Sequence, residues 1–241
     1  DMPVELYDRE VTCDLLVVGS EGAGGPTAIF AARAGASVLI VSKGKISSCG
    51  ASQMAGADFN LDGESAREIG LPGDERDNPD RFFEDLVREG FYLGNQKIVE
   101  SYVEYAAKNT RDLLDWGMPV YRFEQVHAEE MARGLISSGV KWVRAIRRQV
   151  RGLDIPILED TMVVDLLTRD GRVIGAVALD LKTGEIILIM AKAVVLCTGG
   201  WQNAYHFNTA SIDLTGDGQA MAFIAGADIK ELLGRSVLEA K

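Results

Sequence analysis

Three clusters of small and polar residues mark where this 241-residue chain can do chemistry. The first is Gly19-Ser20-Glu21-Gly22-Ala23-Gly24-Gly25, directly after the apolar run Cys13 to Val18. Gly19 and Gly24 occupy the outer positions of a G-x-G-x-x-G turn, while the middle position is Glu21. The nearly bare backbone at Gly22, Ala23 and Gly24 opens a helix, so its N–H groups and the helix dipole favour an anion. Glu21 opposes that use. A carboxylate about 5 Å from one phosphate charge costs roughly 3 kcal/mol at an effective dielectric of about 20. Glu21 must therefore turn away, pair with a cation, or mark a weakened site. The plain alternative is a tight strand-to-helix turn with no ligand.

The second cluster is Ser42-Lys43 followed by Cys49-Gly50-Ala51-Ser52-Gln53-Met54-Ala55-Gly56. The third joins Cys197-Thr198-Gly199-Gly200 to Thr215-Gly216-Asp217-Gly218. Taken singly these are ordinary features. Ser-Lys at a strand end is common, Cys49 without a partner cysteine reads as packing, and the dipole favours an acid such as Asp217 at any helix start. His127 and His206 are the only histidines, and each alone reads as structural. No Ser-His-Asp set or carboxylate pair stands out, so no catalytic residue is assigned. No C-x-x-C occurs, and no metal site is expected.

These clusters need elements to hold them. Cys13 to Val18 reads as a buried parallel strand, Thr27 to Ala34 as a small-residue helix ended by Gly35, and Ser37 to Val41 as the next strand. This βαβ unit puts its turn at the carboxyl end of the first strand, where doubly wound folds bind nucleotides. Leu61 to Asp80, rich in Gly, Pro, Asp and Arg, reads as a loop. Helices are expected from Pro79-Asp80 through Val87 and from Gln96 to Trp116. Tyr121 to Ser138 has no clean period. Gly139 to Arg151 reads as a helix with Lys141, Arg144, Arg148 and Arg151 on one face, most simply a solvated one, and Val140, Val143, Ile146 and Val150 on the other. Ile155 to Leu158 reads as a strand. Met162 to Thr168, Arg172 to Leu181 and Ile186 to Ala191 are separated by Asp170-Gly171 and Thr183-Gly184, the signature of a β-meander. Ala193 to Cys197 is expected to return to the parallel sheet. Gly216 to Ala225 reads as a helix with Ala220, Met221 and Ile224 inward, and Asp228 to Leu233 as the start of another strand.

Composition narrows the choices. Lys and Arg number 25 against 36 Asp and Glu, a net charge of −11, which argues against binding nucleic acid through bulk electrostatics. A hydrophobic content of 47% supports a substantial core. No apolar run is long enough to span a bilayer and no signal-peptide pattern opens the sequence, so a cytoplasmic setting with reduced thiols is the default.

Taken in order, the clusters resemble the FAD-dependent fumarate reductase and succinate dehydrogenase flavoprotein family, which includes aspartate oxidase and adenylylsulfate reductase. Cys49 to Gly56 is similar to that family's S-G-A-T-x-x-A-G-G loop, Cys197 to Gly200 to its A-T-G-G, and Thr215 to Ala222 to its T-G-D-G-x-x-M-A. The resemblance runs over nearly the whole chain and implies one FAD-binding domain across residues 1–241. The implied α/β fold is glutathione-reductase-like: a parallel sheet with helices on one face and a β-meander on the other. It implies that Gly19, Glu21, Gly22, Ala23 and Gly24 line the pyrophosphate turn. Ser42 and Lys43 would meet the adenosine ribose end. Cys49, Gly50, Ala51, Ser52 and Gly56 would meet the flavin ring and phosphates, and Val163 the adenine through its backbone. Thr198, Gly199 and Asp217 would lie along the dinucleotide. Respiratory members carry a histidine covalently joined to the flavin where Gly50 stands here, which implies non-covalent FAD. The implied reaction is hydride transfer through flavin N5 with a small carboxylate substrate. The family's substrate-binding residues follow the T-G-D-G helix, and Leu232 to Lys241 does not match its next strand. The resemblance thus implies a partner subunit or a missing C-terminal half. The alternative is a non-catalytic flavin-fold subunit or a truncated half acting in assembly with a partner chain.

Overall fold

The computed structural model describes residues 7–56, 58–125 and 131–227. In chain order the elements are β1 (Arg9–Val18), α1 (Gly24–Arg33), β2 (Val38–Val41), β3 (Asp58–Asn60), α2 (Gly63–Glu68), α3 (Pro79–Glu89), α4 (Gln96–Asp115), β4 (Arg122–Glu124), β5 (Gly134–Ile136), α5 (Gly139–Gly152), β6 (Ile157–Leu158), β7 (Thr161–Arg169), β8 (Arg172–Asp180), β9 (Ile186–Leu196) and α6 (Asp217–Ile224). They fall into two compact units. One runs up to Met54 and resumes at Val143; the other is Ala55–Trp142.

The first unit is built on a six-stranded sheet of order β6-β2-β1-β9-β8-β7. The strands β6, β2, β1 and β9 are mutually parallel, and β9, β8 and β7 run antiparallel as a meander. The second half of β1, Leu15 to Val18, and the whole of β2 are apolar at every step because both faces are covered there. Leu16, Val18, Leu39 and Val41 meet Val163, Leu166, Ala176, Ala178, Ile187, Ile189 and Met221 in one core, so the meander folds over the parallel strands as expected. Val17, Val38 and Ile40 alternate to the opposite face and are also buried. Helix α1 packs there through Ala28 and Ile29, and α5 buries Val143, Ile146 and Val150. Lys141, Arg144, Arg148 and Arg151 of α5 are exposed, and Val140, expected on its apolar face, is 38% exposed.

Two expectations for this unit are corrected. Ile186 to Ala191 and Ala193 to Cys197 are not two strands but the single β9. Lys192 looks like an interruption in the sequence, yet its Nζ pairs with Asp14 of β1 at 2.6 Å, so its charge is met across the ladder without a turn. In α6 the inward residues are Gly218 and Met221, whereas Ala220 is exposed and Ile224 is 76% exposed. The rotation is set at the first turn. A Cβ on Gly218 would lie 1.9 Å from Thr198 Oγ1, so Gly218 must face the sheet, and Met221 follows three residues on.

The second unit holds α2, α3, α4 and an antiparallel sheet of order β3-β5-β4. The loop expected over Leu61 to Asp80 contains α2, and Tyr121 to Ser138 contains β4 and β5. Both escape a periodicity reading because a six-residue helix and three-residue strands are shorter than the pattern that reveals them. Among its mostly apolar buried residues lies a charged cluster. The side chain of Arg133 is 0% exposed, and its Nε and Nη2 donate to the two oxygens of Asp77 at 2.8 and 2.6 Å. Its Nη1 meets Asp85 at 2.9 Å, and its guanidinium lies 4.8 Å from the Phe82 ring centre. His127 and the strand expected over Asp228 to Leu233 lie outside the described residues.

Candidate cofactor site

The site grows from the carboxyl end of β1. Gly19, with φ +108°, turns the chain so tightly that a Cβ there would lie 2.2 Å from Cys197 O, and one on Gly24 would lie 1.9 Å from Gly19 O. These contacts lock β1, the start of α1 and the end of β9 together, and only glycine satisfies them. Helix α1 opens on Ala23 with no side-chain cap, and Gly25 N–H closes the turn on Glu21 O at 2.9 Å. Gly22 N–H donates to Ser52 Oγ at 3.2 Å, which ties the turn to the loop after β2.

Glu21 turns out of the turn toward that loop. Its Oε1 accepts the Ser47 N–H at 2.7 Å, with Ser20 Oγ at 3.5 Å and Cys49 Sγ at 3.9 Å, while Oε2 is buried without a partner. Desolvation pushes its carboxyl up to about 6, against the pull of the Ser47, Ser20 and Cys49 donors. Gly50, with φ +71°, leaves room for this side chain: a Cβ there would stand 3.2 Å from Glu21 Cγ. The Gly50 N–H donates to Asp213 Oδ2 at 2.8 Å, the main reason this carboxyl lies below its ordinary value. Cys49 is partly buried, and desolvation raises its thiol, so nothing here makes it a thiolate.

Ser42 and Lys43 diverge. Ser42 is buried, with its Oγ 2.9 Å from Ser20 Oγ, and Thr161 N–H donates to its carbonyl at 2.9 Å. Lys43 instead reaches α6, with its Nζ 2.7 Å from Asp217 Oδ2 and 2.8 Å from Thr215 Oγ1. Lys43, expected at the adenosine ribose end, and Asp217, expected along the dinucleotide, are thus an ion pair. Burial pushes the Asp217 carboxyl up, but the hydrogen bonds from Lys43 and Thr215 outweigh it and hold the group below its ordinary value. Helix α6 also lacks a side-chain cap and starts on Gly216.

The exit from β9 is fastened to α6. Thr198 packs on Gly218, and Gln219 Nε2 donates to Gly199 O at 2.8 Å. The Val163 side chain lies in the core, 3% exposed. Its backbone flanks a register shift between Val163 and Asp165 in β7, the last strand of the sheet order. Ala51 is exposed, Ser52 opens a short 3-10 turn, and Gly56 belongs to the other unit, exposed and with open space where a Cβ would stand. His206 is exposed and lies edge-on to Phe207, 4.7 Å between ring centres. Sequence reasoning missed Asp213 and the Ser20–Ser42 contact. Asp213, two residues before Thr215-Gly216-Asp217, belongs to no motif; Ser20 and Ser42, at the ends of adjacent parallel strands, could have been paired by topology. Among the described residues no cluster of His, Cys, Asp or Glu could hold a metal ion, and no helix is long and apolar enough to cross a membrane.

Known proteins share this fold. The chain is 29% identical over 241 residues to a fumarate reductase (CoM/CoB) subunit of Methanothermobacter marburgensis, covering 96% of this chain and 42% of that protein. It is 32% identical over 232 residues to the fumarate reductase flavoprotein subunit of Mycobacterium tuberculosis, covering 91% and 38%. The open conformation of a flavocytochrome c3 fumarate reductase superposes with a TM-score of 0.82 at 27% identity, covering 92% of this chain and 42% of that one. A quinol–fumarate reductase with menaquinol superposes with a TM-score of 0.79 at 26% identity, covering 91% and 38%. The chain spans about two-fifths of the length of these relatives. An adenylylsulfate reductase from Archaeoglobus fulgidus shares the fold, with a TM-score of 0.72 at 20% identity. Residues 14–237 match the FAD binding domain family, and with a fold, a glycine turn and two uncapped helix starts that suit a dinucleotide, the chain belongs to that family, whose cofactor is FAD.

Proposed function

We propose that this chain is the FAD-binding part of an oxidoreductase of the fumarate reductase and succinate dehydrogenase type, holding its flavin without a covalent bond. The observation that carries the reading is the start of α1, where a parallel strand delivers a glycine turn into a helix whose first N–H groups have no side-chain cap. Such an end takes a pyrophosphate through its backbone and dipole. The turn after β9 and the start of α6 supply a second strip of backbone, positioned by the Lys43–Asp217 pair and the Gln219–Gly199 hydrogen bond. The Cys49 to Ser52 loop, held by Glu21 and Asp213, would lie at the flavin. When bound, FAD supplies hydride chemistry at N5, and the protein orients and shields it. The substrate would be a small carboxylate. The loop over residues 47–52 contains no histidine to form a flavin bond. A partner subunit fits the relatives named as subunits, and a cytoplasmic setting fits three free cysteines.

The second reading, a non-catalytic flavin-fold subunit, is favoured by one residue only, the acid at position 21. The absorption spectrum before and after acid precipitation separates the two. Bands near 370 and 450 nm, roughly the oxidised-flavin positions, with colour released to the supernatant, are expected. Colour retained in the pellet would refute non-covalent binding. A colourless chain that takes up no added FAD would leave the subunit reading.

A further inference from the structure

Glu21 stands inside the turn that must receive a pyrophosphate, and no cation is bonded to it among the described residues. The titratable groups that act on it are Asp213, across the Gly50 N–H, and the Cys49 thiol; the cations nearest in contact are Lys43, which acts on Asp213, and Arg147, which meets Ser47. Lys43 is engaged with Asp217 and Thr215, and Arg147 reaches only Ser47 Oγ at 3.4 Å. Of the two carboxyl oxygens, Oε1 has the Ser47 N–H, while Oε2 is buried with no donor. For an anion that is the costly case. A neutral acid removes the buried charge and leaves Oε1 as the acceptor for Ser47 N–H; an Oε2–H without an acceptor is the smaller cost of an unpaired neutral group.

We infer that Glu21 serves the FAD site as a neutral carboxylic acid, tying the glycine turn to the loop over residues 47–52 and taking up one proton from solvent when FAD binds. The inference rests on the FAD reading above. The Ser47 N–H to Oε1 and Gly22 N–H to Ser52 Oγ bonds stitch the same two segments from opposite sides, so Glu21 is a positioning residue for both. Its carboxyl is already raised by desolvation, and two added pyrophosphate charges raise it further. The sign follows. The neutral form binds, so affinity is highest where Glu21 is already protonated and falls as pH rises above about 6, the value for the free chain.

The test is FAD affinity by flavin fluorescence from about pH 5.5 to 8.5, with calorimetry near pH 7 in two buffers of different ionisation enthalpy. For the unaltered chain, Kd should rise up to about tenfold per pH unit above pH 6, with uptake of roughly one-half to one proton per FAD at pH 7. Glu21→Gln keeps an acceptor for Ser47 N–H and should bind tightly with a flat profile. A flat profile with no proton uptake in the unaltered chain overturns the inference, as does a Glu21→Gln variant that keeps the slope; either leaves FAD binding standing. The proton count needs no variant, so a Gln protein that fails to fold does not block the test. No FAD uptake at any pH overturns the cofactor reading and this inference together.

Discussion

In the unit built from Ala55–Trp142, each of α2, α3 and α4 begins under a side chain that accepts one of its free N–H groups. Asp62 takes Ser65 N–H at 2.9 Å, Asn78 takes Arg81 N–H at 3.0 Å, and Asn95 takes Lys97 N–H at 3.1 Å. In the other unit, α1 and α6 begin on Ala23 and Gly216 with no such acceptor. The same contrast holds for charge. Arg133 is buried with Asp77 and Asp85 against it, whereas Glu21 keeps one oxygen unmatched. One unit caps its helices with its own side chains and pairs its buried guanidinium. The other leaves donors and an acid open beside a glycine turn, which is how a fold stays stable while reserving part of its surface for an anion.

The largest effect is expected where the closed unit is opened. Asp77→Ala leaves a buried guanidinium short of its bidentate partner and should cost about 3–5 kcal/mol, read as a lower urea midpoint with an unchanged slope. An unmoved midpoint would mean that Arg133 is not held as described. Next, closing the open unit with an acid should hurt binding rather than folding. Ala23→Asp places a carboxylate at the start of α1 and should weaken FAD by roughly a hundredfold, about 3 kcal/mol, measured by flavin fluorescence. Equal FAD affinity in that variant would remove α1 from the site. Asn78→Ala should cost about 1 kcal/mol of stability and leave FAD affinity unchanged. Smallest of all, Lys43→Met breaks a half-exposed ion pair worth roughly 0.2–1 kcal/mol. Asp217 is the linked group. Its carboxyl is held below the ordinary value, so the stability it adds is present above the unfolded value near 4 and is lost as pH falls through the folded one. The difference between unaltered and Met proteins should therefore hold from about pH 7 down to about pH 4 and shrink below it in matched urea titrations.

The parts legible in the sequence are those whose signal is long or local. The runs around Leu16 and Leu39 and the glycine turn between them gave the parallel core, and Asp170-Gly171 and Thr183-Gly184 gave the meander. The continuity of β9 was hidden because Lys192 finds its counter-charge in Asp14, far away in sequence. In the second unit α3 and α4 were legible from their starts and apolar spacing, but α2, β4 and β5 were too short to show a period, and no period announces Arg133 meeting Asp77 and Asp85. At the site, the position of Glu21 in the glycine turn was plain. Its turn toward Ser47 was not, because the acceptor geometry depends on a loop more than twenty residues on.

The long strand β9 also has a consequence for how the protein is made. Along its whole length β1 pairs with β9, Arg9 opposite Ile187 and Val18 opposite Leu196. At translation rates of roughly 5–20 residues per second, one edge of β1 waits on the order of ten to forty seconds for its neighbour to leave the ribosome. Throughout that interval the segment around Leu15 to Val18 is an apolar strand with an open edge, the kind of surface chaperones cover. The glycine turn, whose geometry depends on Cys197 behind it, takes its final shape only after the end of β9 has been made.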